Sequence, residues 1–194
     1  GIINYKFKDK VNTRSIMQVL CDKNGVIWAL VLNSKLYKLV NNQLIAQQIV
    51  SKDDMITSIA LDKNGDMHAA IYKSGIYGLD KTGWKLNVNI KQHYIKKFLF
   101  SDQSSGTINF ISEQGLFQCN ANYLKKITLP ELYPEASELT GIVQDHHKNL
   151  WIGTNKGAFL ISGQSIKYFN ENNGFTNERV LDLYCDEDNR IWFG

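Results

Sequence analysis

A chain of 194 residues with 43% hydrophobic content holds enough apolar material for a sizeable core and lies outside the disordered class. Its net charge of +3, spread over scattered lysines, argues against a nucleic-acid or membrane-surface binder. No apolar run approaches the ~20 residues of a spanning helix, and three cysteines without CxxC or CxC spacing indicate no redox or zinc motif.

Gly1-Ile2-Ile3-Asn4-Tyr5 has the pattern of a third strand found in later units, which makes residues 1–14 half a unit. The first full unit, residues 15–54, runs from an apolar strand into Cys21-Asp22-Lys23-Asn24-Gly25, then a strand from Ile27 to Leu32 that opens beside Trp28. Residues 55–94 repeat the plan with Asp62-Lys63-Asn64-Gly65, a strand from Met67 to Tyr72, the connection Lys73-Ser74-Gly75 and a strand from Ile76 to Leu79. Residues 95–137 follow with Asp102, a strand from Ile108 to Ile111, Glu113-Gln114-Gly115 and a strand from Leu116 to Cys119. Residues 138–178 give the clearest copy: an apolar strand to Asp145, Leu150 to Gly153, Asn155-Lys156-Gly157, Ala158 to Ile161, and a polar fourth strand from Ser165 to Phe169. Residues 179–194 carry a first strand ending at Asp186 and stop within a second, Ile191-Trp192-Phe193-Gly194.

The tryptophan slot falls at residues 28, 68, 109, 151 and 192, a period of 40 to 42 residues. Several short strands at a period near 40–45 residues mark propeller blades. The fold class is therefore all-β, a β-propeller of four-stranded antiparallel blades. No window keeps a helical period. Val19, Ile59, Leu99, Ile142 and Leu183, each three residues before the acid, are all apolar. So are Ile16, Ile56, Leu139 and Val180, six before it, with Lys96 as the exception.

Five aspartates at one turn position cannot all be catalytic. Asp22, Asp62, Asp102, Asp145 and Asp186 are instead assigned to capping turn amides, beside Asn and Gly residues that tolerate positive φ. Trp28, Trp151 and Trp192 recur and so belong to packing between blades, with His68 and Asn109 in their place in the second and third copies. Gly153 and Gly157 are assigned to the repeat backbone. Trp84 lies outside the repeat slot and serves either as an exposed partner contact or as cover for a blade edge. Cys21 and Cys185 are assigned as small core residues on strands, and His146-His147 lacks a third ligand at metal spacing.

The segment Leu139-Thr140-Gly141-Ile142-Val143-Gln144-Asp145, followed by Asn149-Leu150-Trp151-Ile152-Gly153-Thr154-Asn155-Lys156-Gly157, resembles the two-component regulator propeller repeat. So does the lead-in Asn172-Asn173-Gly174-Phe175-Thr176-Asn177-Glu178-Arg179-Val180. The resemblance spans the chain and departs from the pattern at His68, at Asn109 and after Asn33-Ser34-Lys35, where no glycine follows. Such repeats form paired seven-bladed propellers in periplasmic sensor regions of bacterial hybrid two-component regulators, ahead of a β-sandwich, a membrane span and a histidine kinase. The resemblance thus implies a periplasmic sensor segment that responds to an oligosaccharide and signals to a kinase outside this chain. It implies the remaining ectodomain and a homodimer as partners, no nucleic acid for this segment, and neither cofactor nor metal. The two terminal halves could combine into a fifth blade; the resemblance favours a larger, seven-bladed ring.

A ligand would use the segments that differ between copies, namely the connections between blades and the second-to-third-strand turns. Tyr72, Lys73, His93, Tyr94, Glu113, Tyr133, Asn155 and Arg179 supply planar and hydrogen-bonding chemistry of the kind saccharides use. A structural scaffold or protein-interaction module, with ligand bound elsewhere, is the second reading. A propeller glycosidase or lyase is the third. A sialidase-type Asp box fails because Asp22 and Gly25, like Asp62 and Gly65, stand three apart rather than two. Glu113, Glu131, Glu135 and Glu138 likewise show no pairing of the sort glycoside hydrolysis requires. The segment itself is therefore expected to be non-enzymatic.

Overall fold

The structure is a computed structural model that describes residues 6–7, 15–32, 35–102, 104–130, 138–175 and 179–194. Its described residues form β-strands and a single 3-10 turn, and no helix among them is long and apolar enough to cross a membrane. Residues 1–92 and 93–194 make two compact units of similar plan.

In the first unit, β1 (Lys6–Phe7) precedes β2 (Ile16–Cys21), β3 (Ile27–Val31), β4 (Leu36–Val40) and β5 (Gln43–Gln47). The last four form an antiparallel meander, and β1 lies parallel against β5. The predicted third strand at Gly1 to Tyr5 lies outside the described residues. A second meander follows: β6 (Ile56–Leu61), β7 (Met67–Ile71), β8 (Gly75–Asp80) and β9 (Gly83–Asn89). The second unit repeats it with β10 (Ile95–Asp102), β11 (Thr107–Ser112), β12 (Gly115–Cys119) and β13 (Leu124–Ile127). Then come β14 (Leu139–Gln144), β15 (Leu150–Thr154), β16 (Gly157–Ser162) and β17 (Ser165–Phe169), and last the two-stranded β18 (Leu183–Cys185) and β19 (Ile191–Phe193). Four consecutive antiparallel strands joined by short turns constitute a propeller blade.

Each core lies between successive blades, because a sheet with two apolar faces must stack on a neighbour. Trp28, Leu30 and Leu36 of one blade pack with Ile56, Ile59 and Ala69 of the next. In the second unit Ile111 and Leu116 pack with Leu139, Ile142 and Ile152 in the same manner. Ile16 and Val19 on β2 hold the positions of Ile56 and Ile59 yet remain more than half exposed, since no described blade precedes β2. Exposure of the same repeat residue thus reports whether a neighbour is present.

Two backbone details carry the repeat. Gly157 has φ +123°, and a Cβ there would stand 2.1 Å from the Phe169 carbonyl oxygen of β17, so only glycine opens the third strand. Gly153 serves close approach instead: a Cβ would meet Val180, which leads into β18, at 2.8 Å.

The third copy departs from its predicted register. Phe98, not Leu99, faces Phe110 as Ile59 faces Ala69, and Ile95 takes the buried slot in place of Lys96. The cause is a longer first turn. Phe100 pairs with Ile108 as Leu61 pairs with Met67, and a bulge at Ser101 then lets Asp102 pair with Thr107 and cap the turn through the Ser104 amide.

Candidate functional site

The repeat's aspartate and tryptophan are bonded to one another. Asp22 Oδ1 accepts the Asn24 and Val26 amides at 2.8 and 3.0 Å, while Oδ2 accepts the Trp28 indole N–H at 2.9 Å. Asp186 repeats this with the Asp188 and Arg190 amides and Trp192 at 2.8 Å, and Asp145 does so with the Asn149 amide and Trp151 at 3.3 Å. Burial raises the Asp22 carboxyl, yet the Trp28 indole and the turn amides outweigh it and hold the group below its ordinary value. The fixed spacing of six residues was the visible sign of this bond, although sequence reasoning assigned turn capping and blade packing to the two residues separately.

The tryptophans also bridge blades. Trp28, only 1% exposed, meets Trp84 of the next blade edge-on at 6.0 Å. Trp84 is half-buried in that core, which identifies it as cover for a blade interface. Trp151 contacts Phe193 of the following blade at 5.8 Å. Turns are tied across blades as well: the Lys23 amide donates to the Gly65 carbonyl, and the His146 amide donates to Asn189 Oδ1 at 2.7 Å. The histidine pair therefore sits in a turn-to-turn tie. No group of three His, Cys, Asp or Glu suited to a metal occurs among the described residues.

The second copy breaks the pattern and opens space. His68 stands where tryptophan recurs, and its cross-strand partner on β8 is Gly78, where the other blades place Lys38, Gln118 and Leu160. The imidazole packs onto Gly78, where a Cβ would meet it at 2.8 Å, and with this smaller ring in the tryptophan slot a groove of about 640 Å3 lies above it within the first unit. The groove lies among the first-to-second-strand turns of both blades and the β8–β9 turn. In its floor the buried His68 Nδ1 lies 3.2 Å from Asn87 Nδ2, and Nε2 lies 3.7 Å from Asp62 Oδ2. Burial is the main influence on the imidazole and lowers its pKa below 6.5 despite Asp62. Asp62 itself accepts the Asn64 and Asp66 amides.

Predicted ligand residues lie elsewhere. Tyr72 and Lys73 sit on the β7–β8 turn, with the Lys73 ammonium 5.4 Å over the Tyr72 ring. Glu113 is exposed on the β11–β12 turn and Arg179 is exposed before β18. Asn155 clamps its own blade, donating its amide to the Glu138 carbonyl and accepting the Glu138 amide on Oδ1. Tyr94 is half-buried just ahead of β10. Tyr133 lies outside the described residues. His93 is 6% exposed, its ring 4.4 Å from Phe117 and 5.6 Å from Phe110, so it belongs to the blade interior rather than a recognition surface. In an antiparallel blade the second-to-third-strand turns lie at the opposite strand ends from the groove.

Comparison with known proteins places these blades in context. The family described as two component regulator propeller matches residues 174–194, so the chain carries a repeat of that kind. The sequence matches none of the curated proteins. The extracellular domain of a protein from B. thetaiotaomicron, described as a hybrid two component system, is similar at 16% identity and TM-score 0.68, over 94% of this chain and 26% of that one. A second extracellular domain from B. thetaiotaomicron, described as a one component system, is similar at 15% identity and TM-score 0.69, over 96% and 27%. Virginiamycin B lyase from Staphylococcus aureus is similar at 15% identity and TM-score 0.67, over 92% and 62%. These likenesses establish the β-propeller fold. This chain spans about a quarter of the two extracellular domains and under two thirds of the lyase.

Proposed function

We propose that this chain is a ligand-sensing propeller segment of a two-component-type sensor, acting in the periplasm and binding an oligosaccharide without converting it. The observation that carries this reading is the two component regulator propeller match at residues 174–194, supported by the two extracellular sensor domains of like fold. Signalling then proceeds to a histidine kinase outside this chain through movement of the propeller against the rest of a homodimeric ectodomain. The groove beside His68 supports a binding role, since it forms where the repeat fails and repeat residues elsewhere are committed to structure. A lyase reading draws on the fold of virginiamycin B lyase and, at 15% identity, on nothing further.

The test is calorimetric titration of the chain with a panel of neutral and acidic oligosaccharides, with mass analysis of each glycan afterwards. Saturable binding with the glycan recovered intact supports the sensor segment. Absence of binding by every glycan refutes ligand recognition here, and a shortened or eliminated product refutes the non-enzymatic reading.

A further inference from the structure

The groove beside His68 has an unequal supply of hydrogen-bonding groups. Its four carboxylates are engaged: Asp22 by Trp28 and two amides, Asp62 by two amides, Asp66 by Lys23 at 2.6 Å and Asp80 by Lys85 at 2.7 Å. Two further lysines line it, Lys38 from the first blade and Lys81 from the β8–β9 turn of the second. Neither has a carboxylate at salt-bridge distance among the described residues. Lys38 is half-buried, its ammonium 5.5 Å above the Trp28 ring, so it is held in place rather than trailing in solvent. Ammonium donors remain while the carboxylates are already engaged. An occupant must then bring acceptors of its own, and a carboxylate or sulfate makes the stronger, charge-assisted bonds. Val26 and Leu79 add apolar wall suited to the C–H face of a sugar ring.

We propose that this groove is a subsite for an anionic sugar, a uronate or sulfated residue whose acid group is held by Lys38 and Lys81. The proposal rests on the oligosaccharide-sensing reading and narrows its ligand. The anionic group meets the two ammoniums, and its ring lies in the groove above the packed His68–Gly78 pair. The site occupies the turn end of the first unit's blades, at the opposite strand ends from the β7–β8 turn of Tyr72 and Lys73.

The experiment titrates the chain calorimetrically with hyaluronan tetrasaccharide, which carries glucuronate, and with the same glycan after carboxyl reduction. The acidic form is expected to bind about ten-fold tighter or better, an advantage of about 1.4 kcal/mol that shrinks with added salt. Lys38→Met with Lys81→Met should lower the acidic form to the level of its neutral counterpart. His68→Trp, which restores the residue of the first, fourth and fifth copies, should abolish binding of both while thermal unfolding shows the blade intact. Equal affinity for the two forms overturns the anionic subsite and leaves saccharide sensing in place. An acid preference surviving the double lysine variant overturns it too. Binding of neither, with uptake of other neutral glycans, refutes this subsite alone, and binding of no glycan refutes both readings.

Discussion

Replacing Asp22 by alanine separates an aspartate that caps a turn from one that also secures a buried tryptophan. The substitution removes acceptors from the Asn24 and Val26 amides and from the Trp28 indole. The Asn24 amide lies in an exposed turn and can turn to water, but Trp28 is 1% exposed and its N–H has no such recourse. A stranded buried donor costs about 1–3 kcal/mol, and loss of the turn bonds brings the total to about 2–4 kcal/mol. Asp186→Ala provides the control: the two amide bonds and the indole bond recur, with one more from the exposed Arg190 guanidinium, yet Trp192 is 57% exposed, so its indole rehydrates and the loss is clearly smaller. Urea unfolding followed by tryptophan fluorescence measures both. Trp28→Phe keeps the packed ring without the donor, and a double-mutant cycle with Asp22→Ala should give a coupling of about 1–3 kcal/mol. Equal losses at the two aspartates, or a coupling near zero, would refute the Asp–Trp bond as the reason for their joint recurrence.

Gly157→Ala forces φ +123° on a side chain and drives its Cβ against the Phe169 carbonyl, so circular dichroism should report a loss of about 3 kcal/mol or more. Gly163→Ala, at φ +58° with open space around it, should lose only about 1–2 kcal/mol in the same assay. Burial pushes the Cys119 thiol up to about 12, whereas Cys21 is exposed; maleimide labelling at pH 8 should modify Cys21 first and reach Cys119 only on unfolding. Acid should destabilise in two stages. The folded pKa of His93 is lowered by burial, so protonation favours the unfolded chain and stability falls as pH drops below 6.5. Asp186, raised by burial but held down to about 2 by Trp192 and Arg190, contributes stability that is lost between 3.8 and about 2. Urea midpoints across pH 8 to 2 check both stages, and a His93→Phe variant should shrink the upper one, leaving the part that the buried His68 contributes.

Strand order and blade type were legible because the repeat is written in turn residues and strand-opening glycines, whose backbone demands are local. The third copy was misregistered for the same reason. Asp102 does cap its turn through the Ser104 amide, but the extra residues of that turn and the bulge at Ser101 become visible only in the pairing of Phe100 with Ile108 and Asp102 with Thr107. The site was harder. A turn residue such as Glu113 can be placed on the surface from sequence, but His93 lies in a connection and packs against the stacked Phe110 and Phe117. The groove depends on His68 facing Gly78 across two strands, a juxtaposition set by register. The missing tryptophan at 68 was its only sequence trace, and it read as a relaxed slot.

Hydrogen–deuterium exchange of the chain with and without a bound oligosaccharide tests most directly whether recognition resides where the repeat fails. The account predicts protection at the turns around Asp22 to Val26 and Asp62 to His68 and along Gly78 to Asn87. Protection instead at Tyr72, Glu113 and Asn155, or unchanged exchange throughout with a glycan that binds the chain, would contradict it.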